Sequence, residues 1–399
     1  MGAIEKPLFG VIGEVHAFHD DLRKIRQDIH AHPETAFEEQ RTSDLVASKL
    51  EEWGLEVHRG LAGTGVVGVL RNGSSSRNIG LRADMDALNM HEKNAFGHKS
   101  THEGKMHACG HDGHTTMLLG AARHLASKAT TNFDGTVNFI FQPAEENEGG
   151  GRVMVEEGLF DKFPCDTVWG MHNWPELPPG HFCVMPGPMM ASFDIFEITL
   201  TGRGAHAAMP QNGRDPIVAA AALIQALQTI VSRNTHPVEA GVVSVTQCHG
   251  GDTWNVIPDE VVIRGTTRAF KPEVQDLIQR RMTEICDGIG ATYDCTVKCW
   301  YDRRYPPTIN TVAEAEVSRS VLAGLVGDAN VHTQLAPTMG AEDFAFMLQK
   351  KPGCYIWIGN GSGEHGCLLH NPGYDFNDEI LTLGSSYWVK LVERLLPAA

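Results

Sequence analysis

An α/β fold is predicted for this 399-residue chain, because short, near-continuously apolar runs alternate with amphipathic stretches. That pattern belongs to a mostly parallel central sheet, buried on both faces and flanked by helices. A second observation is the change of texture after PGPMMAS (186–192). From there the chain reads strand, helix, strand, strand, helix, strand, the split βαβ order of a ferredoxin-like α+β unit. Beyond the loop DRRYPPTIN (302–310) the first texture returns, so the second unit is inserted into the first. The expected limits are 1–188 with 306–399 for the outer domain and 189–305 for the insert.

Apolar residues at helical spacing (Leu22, Ile25, Ile29; then Leu45, Leu50, Trp53) predict helices over 18–31 and 37–53. The runs VVGVL (66–70), IGLRADM (79–85), TVNFIFQ (136–142) and TVWGMHN (167–173) predict buried strands, with a helix at HTTMLLGAARHLA (114–126) among them. In the insert, strands are expected at 193–201, 241–248, 258–269 and 291–300, and helices at 216–233 and 272–289. Helices over 311–326 and 377–396 enclose a last strand at GCYIWIGN (353–360).

Composition narrows the function. With 33 basic against 49 acidic residues, the net charge is −16, which argues against a nucleic-acid partner, since phosphate contacts need clustered Lys and Arg. With 42% hydrophobic and 21% charged residues the chain can bury a sizeable core. The first twenty residues show no basic stretch followed by an apolar one, as a signal peptide would require. No apolar run approaches about 18 residues, so no membrane partner is expected. Nine scattered cysteines suit a reducing compartment. A cytoplasmic protein is the expectation.

The densest chemistry lies in HACGHDGHTTMLLGAA (107–122), where His107, Cys109, His111, Asp112 and His114 fall within eight residues ahead of a helix. Thiolate, imidazole and carboxylate are the ligands of divalent transition metals. Side chains at Cys-x-His spacing in extended backbone point to one side. The plainer reading is a helix N-terminus with incidental histidines. In FQPAEENEGGG (141–151) a strand runs into adjacent Glu145 and Glu146. Metal-assisted hydrolysis needs one carboxylate on the metal and another left as proton shuttle, although such a pair before a Gly-rich loop can equally be a solvated turn. His172 in GMHNWPE and His370 in LLHNPGYDFND complete the set of candidates at C-terminal ends of strands, where open α/β sheets build their sites. In the insert, His206 comes after glycines in GRGAHAAMPQNGRDPI, either as a functional donor or as a loop histidine. Asn255 in NVIPDE and Arg268 in GTTRAF could hold an anionic substrate, Arg by its bidentate fork.

These motifs, with LRADMDALNM (81–90) and MGAEDFAFML (339–348), run in order through nearly the whole chain. Together they resemble the aminoacylase/carboxypeptidase family of binuclear metallohydrolases. Within it the chain is most similar to the amidohydrolase branch of hippurate hydrolases, N-acyl-amino-acid amidohydrolases and plant auxin-conjugate hydrolases. The resemblance implies a catalytic domain with an inserted lid or dimerisation domain, and hence a homodimer. It implies two divalent metal ions (Mn, Zn, Co or Ni) on Cys109, His111, Glu146, His172 and His370. Glu145 would be the general base, Asp86 would orient a ligand, and His206 would stabilise the oxyanion from a partner's lid. Asn255 and Arg268 would meet the substrate's carboxylate. Asp84 stands where many relatives carry a metal-binding His, with Cys109 and His111 making good that ligand. The implied reaction is hydrolysis of the amide bond of N-acyl or N-aroyl amino acids. Alternatives are a dipeptidase, an N-acetyl-diaminopimelate deacetylase, a non-catalytic metal-binding protein, or a thiol hydrolase with Cys109 as nucleophile.

Overall fold

The computed structural model describes residues 8–146, 148–362 and 367–398. The first seven residues, part of the stretch tested for a signal peptide, and Asn147 of the paired-glutamate motif lie outside that range. The chain divides into two compact units, 1–187 with 309–336 and 346–399, and 188–308 with 337–345. The segment 337–345 groups with the second unit, whereas the sequence pattern assigns all of 306–399 to the outer domain. Its reason is local: Ala191 N donates to the carbonyls of Thr338 (3.1 Å) and Gly340 (2.9 Å), tying the segment to the start of the insert.

The first unit is built on an eight-stranded sheet. Its four central strands, Gly135–Gln142, Asn78–Asp84, Thr167–Trp174 and Gly353–Gly359, run parallel to one another in that order. Antiparallel pairing enters toward the margins, where Glu56–Leu61 pairs with Gly65–Asn72 and the latter with Gly135–Gln142. The central strands are buried almost throughout, as their continuous apolar runs require. Helix His111–Ala126 lies buried along nearly its whole length, and its last turns place Leu118, Leu119, Ala121 and Ala122 in the core. Helix Leu381–Leu395 packs on it so closely that a Cβ at Gly384 would meet Met117 Sδ at 2.0 Å. This packing fixes the N-terminus of the 111–126 helix at the C-terminal edge of the parallel strands. That edge carries the site.

The second unit is a four-stranded antiparallel sheet in the order Gly241–His249, Glu260–Ala269, Phe193–Thr201, Thr296–Tyr305. Strict alternation in FDIFEITLT sends Phe196, Ile198 and Leu200 to one face, where they meet Leu223 and Leu227 of helix Pro216–Thr229 and Ile278 and Met282 of helix Pro272–Tyr293. Asp215 caps the first of these helices by accepting from Ile217 N (2.9 Å), with Pro216 at the first helical position. That helix, continued by a π turn to Asn234, is long and apolar enough to cross a membrane by length and composition alone. The expectation that no apolar run approaches that length is thereby corrected. Interrupting polar residues (Gln225, Gln228) hid it, and Ala219, Leu223, Leu227 and Ile230 are spent on the core of this unit. The helix expected to stop at 289 runs to Tyr293 because Ile289 and Tyr293 keep the helical spacing. Asp294 then ends it in left-handed backbone (φ 49°), and the last strand starts at Thr296 instead of 291.

Candidate metal centre

The parallel register puts Asp84 opposite Gln142 and Arg82 opposite Gly170. Asp86, Glu145 and His172 therefore leave the sheet at the same edge, beside His111 at the first position of its helix. Gly110, just ahead of that helix, adopts φ 90°, and a Cβ there would sit 2.2 Å from Asn173 Nδ2. Only glycine lets the turn between Cys109 and His111 approach the 167–174 strand this closely. His370 reaches the cluster from its loop through a bond from its own N–H to Ala108 O (2.8 Å). Both Ala144 (φ 55°) and His370 (φ 60°) are non-glycine residues in left-handed backbone. Strain of this kind concentrates where the surrounding structure fixes a functional group.

The five ligand candidates come together in two overlapping sets. Donor atoms of Cys109, His111 and His172 lie within 4.8 Å of one another, and so do those of Cys109, Glu146 and His370. Cys109 belongs to both. A third set joins His111, Glu145 and Glu146. Individual approaches are Cys109 Sγ to His172 Nε2 at 3.4 Å and His370 Nε2 to Glu146 Oε1 at 3.1 Å. Glu145 Oε2 lies 4.0 Å from His111 Nε2.

The outer contacts orient these donors. Asp86 Oδ1 binds His111 Nδ1 (3.2 Å) and its Oδ2 accepts from Glu146 N (2.9 Å), so one buried carboxylate fixes two candidate ligands. His111 Nε2 is left buried without a hydrogen-bond partner. His172 Nδ1 donates to Asn173 O (2.6 Å), which turns its Nε2 toward Cys109. Metal-binding histidines are held in this way, by a bond to the ring nitrogen that faces away from the ion. His114, by contrast, has both nitrogens engaged, Nδ1 donating to Asp84 (2.6 Å) and Nε2 accepting from Asn173 N (2.9 Å). Asp84 also binds Arg82 (2.7 Å). Asp112 lies against His30 (2.8 Å) and Arg26 (3.6 Å), and His107 is buried apart from the donor sets. The dense segment thus contributes two candidate donors, Cys109 and His111, and two residues tied to other polar partners, Asp112 and His114. Both ring nitrogens of His107 are buried without a hydrogen bond.

Electrostatics identify what the cluster fits. Burial pushes the Cys109 thiol far up, and the carboxylates of Glu146, Glu145 and Asp84 push it further. Burial opposes charge on His111, yet Asp84 and Asp86 hold its imidazole up at about 10. Burial holds His172 neutral, helped by His114. The Glu146 carboxylate, on the acceptor side of the His370 ring nitrogen, raises the pKa of His370. A buried thiol crowded by carboxylates is a poor nucleophile, because burial and those charges together disfavour its anion. Divalent cations would deprotonate it outright and satisfy the orphaned His111 nitrogen. The donor set, soft sulfur with imidazole and carboxylate, fits two such ions.

A model of the peptidase family M20/M25/M40 matches residues 80–394. The chain belongs to that family. This M20 chain is a hydrolase acting on amide bonds. It is 43% identical over 386 residues to the hippurate hydrolase of Campylobacter jejuni, covering 97% of this chain and 99% of that one. It is 38% identical to an N-acetylcysteine deacetylase of Bacillus subtilis (95% and 98% covered) and to IAA-amino acid hydrolase ILR1-like 4 of Arabidopsis thaliana (97% and 88%). Its fold matches that of the Bacillus subtilis YXEP protein, described as a dinuclear metal binding peptidase of the M20 family. The TM-score is 0.82 with 34% identity, over 94% of this chain and 97% of that one.

The remaining candidates of this M20 chain lie in the second unit. His206 and Asn255 line one groove of about 1220 Å³. They belong to the short pairing of Ala205–His206 with Val256–Ile257, and Ala207 N donates to Asn255 O (3.0 Å). Arg268 is not among that groove's lining. It stacks on Phe193 (4.3 Å to the ring centroid) and donates to Thr267 O (2.9 Å). Two buried polar residues near the metal cluster are not legible in the sequence. Asn173 is a polar residue in a largely apolar strand, and Glu39 lies in a polar stretch just before a helix; neither has metal-ligand spacing.

Proposed function

We propose that this chain is a two-metal amidohydrolase that cleaves N-acyl or N-aroyl amino acids, with Cys109, His111, Glu146, His172 and His370 as ligands. The observation that carries the reading is the pair of donor sets sharing Cys109. The names of the relatives, hippurate hydrolase and N-acetylcysteine deacetylase among them, support the substrate class. When bound, the ions supply Lewis acidity toward the amide carbonyl and lower the pKa of water. Glu145, buried beside Glu146, takes the proton of the attacking water and returns it to the leaving amine. Asp86 keeps His111 and the backbone of Glu146 in place throughout. His206 donates to the developing oxyanion, supplied by the partner subunit of a homodimer, while Asn255 and Arg268 face the substrate's carboxylate. The metal belongs to the group Mn, Co, Ni and Zn, and the protein acts in the cytoplasm.

The deciding experiment is a panel of hippurate, N-acetyl amino acids, dipeptides and N-acetyl-diaminopimelate, assayed with each metal. Hydrolysis of hippurate or N-acetyl amino acids above the others supports the reading. Exclusive turnover of dipeptides would replace it.

A further inference from the structure

Glu39 precedes helix Gln40–Glu52 at the capping position, yet its side chain makes no cap bond to that helix. Its carboxylate is fully buried and reaches 105 residues along the chain, where Oε1 accepts from Ala144 N at 2.9 Å. The same oxygen accepts from Phe37 N (3.1 Å), and Oε2 accepts from Thr64 Oγ1 (2.7 Å). Both backbone donors belong to left-handed residues, Ala144 at φ 55° and Phe37 at φ 62°. A residue with a Cβ is disfavoured there unless its surroundings hold it. Burying a carboxylate against neutral donors is itself costly. Burial, and then the charge of Asp86, push the Glu39 carboxyl up to about 7. Such an arrangement persists when it fixes something else.

What it fixes is the turn bearing the paired glutamates. Bonds that hold that turn include Glu39 at Ala144 N, Gly150 N at Ala144 O (2.9 Å) and Asp86 at Glu146 N (2.9 Å). We propose that Glu39 is a positioning residue, which locks Ala144 in left-handed backbone and thereby aims Glu145 and Glu146. The inference rests on the amidohydrolase reading for the role of those two glutamates.

The test compares Glu39→Ala, Glu39→Asp, Glu39→Gln, Ala144→Gly and the double variant Glu39→Ala/Ala144→Gly. Three readouts are taken: kcat and KM, Co²⁺ binding to metal-free protein by calorimetry, and the unfolding midpoint. Glu39→Ala, or Glu39→Asp should the first not fold, is expected to lower kcat by about 10- to 100-fold, since ~1 Å of misplacement costs on that scale. KM should move only a few-fold, and one Co²⁺ should bind at least tenfold more weakly. Glu39→Gln should recover most of the loss, because its amide oxygen still accepts both N–H groups. Adding Ala144→Gly to Glu39→Ala should recover part, since glycine takes positive φ unaided. Equal impairment by alanine and glutamine, with no suppression by glycine and unchanged Co²⁺ binding, would overturn the proposal and leave Glu39 a fold-stabilising residue. Absence of amidohydrolase activity in the wild type would sink the functional reading instead. Co²⁺ binding then still judges Glu39, weakened binding upholding its part and unchanged binding ending it.

Discussion

Asn173→Ala should damage the fold and the metal cluster together. Asn173 is fully buried between the two histidines of its neighbourhood and the turn that carries Cys109. Its Oδ1 accepts from Tyr374 Oη at 2.7 Å, and its Nδ2 donates to Cys109 O at 2.6 Å. Truncation strands a buried hydroxyl and a buried carbonyl, each costing about 1–3 kcal/mol. A small cavity adds to this, so the loss should come to about 3–5 kcal/mol, at the upper end of single substitutions. Tyr374→Phe removes only the hydroxyl from the pair and should cost about 1 kcal/mol, leaving Asn173 Oδ1 unfilled. The double variant should cost less than the sum, because the two side chains share one bond. Urea unfolding followed by tryptophan fluorescence measures the stability loss, and calorimetric titration of metal-free protein with Zn²⁺ measures the damage to the cluster. Metal affinity should fall roughly 10- to 100-fold, as for other residues that hold metal ligands in place. A stability loss below about 1 kcal/mol with unchanged Zn²⁺ affinity would refute the reasoning, since it would mean that the buried donors find other partners.

The paired glutamates should separate: Glu145→Gln keeps both metals and loses about 10²–10⁴-fold in kcat, whereas Glu146→Gln loses metal, and elemental analysis beside kinetics reads both. Stability should fall at alkaline pH through His30. Burial opposes its charge, but Asp112 and Glu92 hold its pKa at about 9, so its contribution is full below about 6.5 and lost as pH rises through about 9. The difference is at most roughly 3 kcal/mol, and His30→Gln should flatten the pH dependence of the urea midpoint over that window. His206→Ala should keep the fold and metals while losing about 10²–10³-fold in rate. Mixing it with Glu145→Gln subunits should restore activity if His206 acts on the partner's site, whereas heterodimers without recovered activity would assign it to its own chain.

Much of this molecule is legible in the sequence because its signals are local. The runs at 136–142 and 167–173 are buried strands, and the helix opening at His111 carries the apolar residues that its sequence promised. The edge strand Glu56–Leu61 escapes such reading since only Leu61 is buried, so no alternation marks it. The pairing of 205–206 with 256–257 spans two residues on each side and leaves almost no pattern. Within the site, residue chemistry points to the candidate donors, but it cannot sort His107, Asp112 and His114 from Cys109 and His111. That sorting depends on Asp84, Asn173 and His30, which arrive from distant parts of the chain. Glu39 is invisible for the same reason: a carboxylate before a helix reads as a cap until its partner at Ala144 is known.

The most direct measurement tracks metal content and hydrolysis of one N-acyl amino acid in the same samples through chelation and refilling. Two divalent ions per chain should leave and return with the activity, and Cys109→Ser should bind them more weakly without any acyl–cysteine adduct forming on the wild type. Full hydrolysis by protein shown free of metal, or a trapped acyl–Cys109 adduct, would contradict the account.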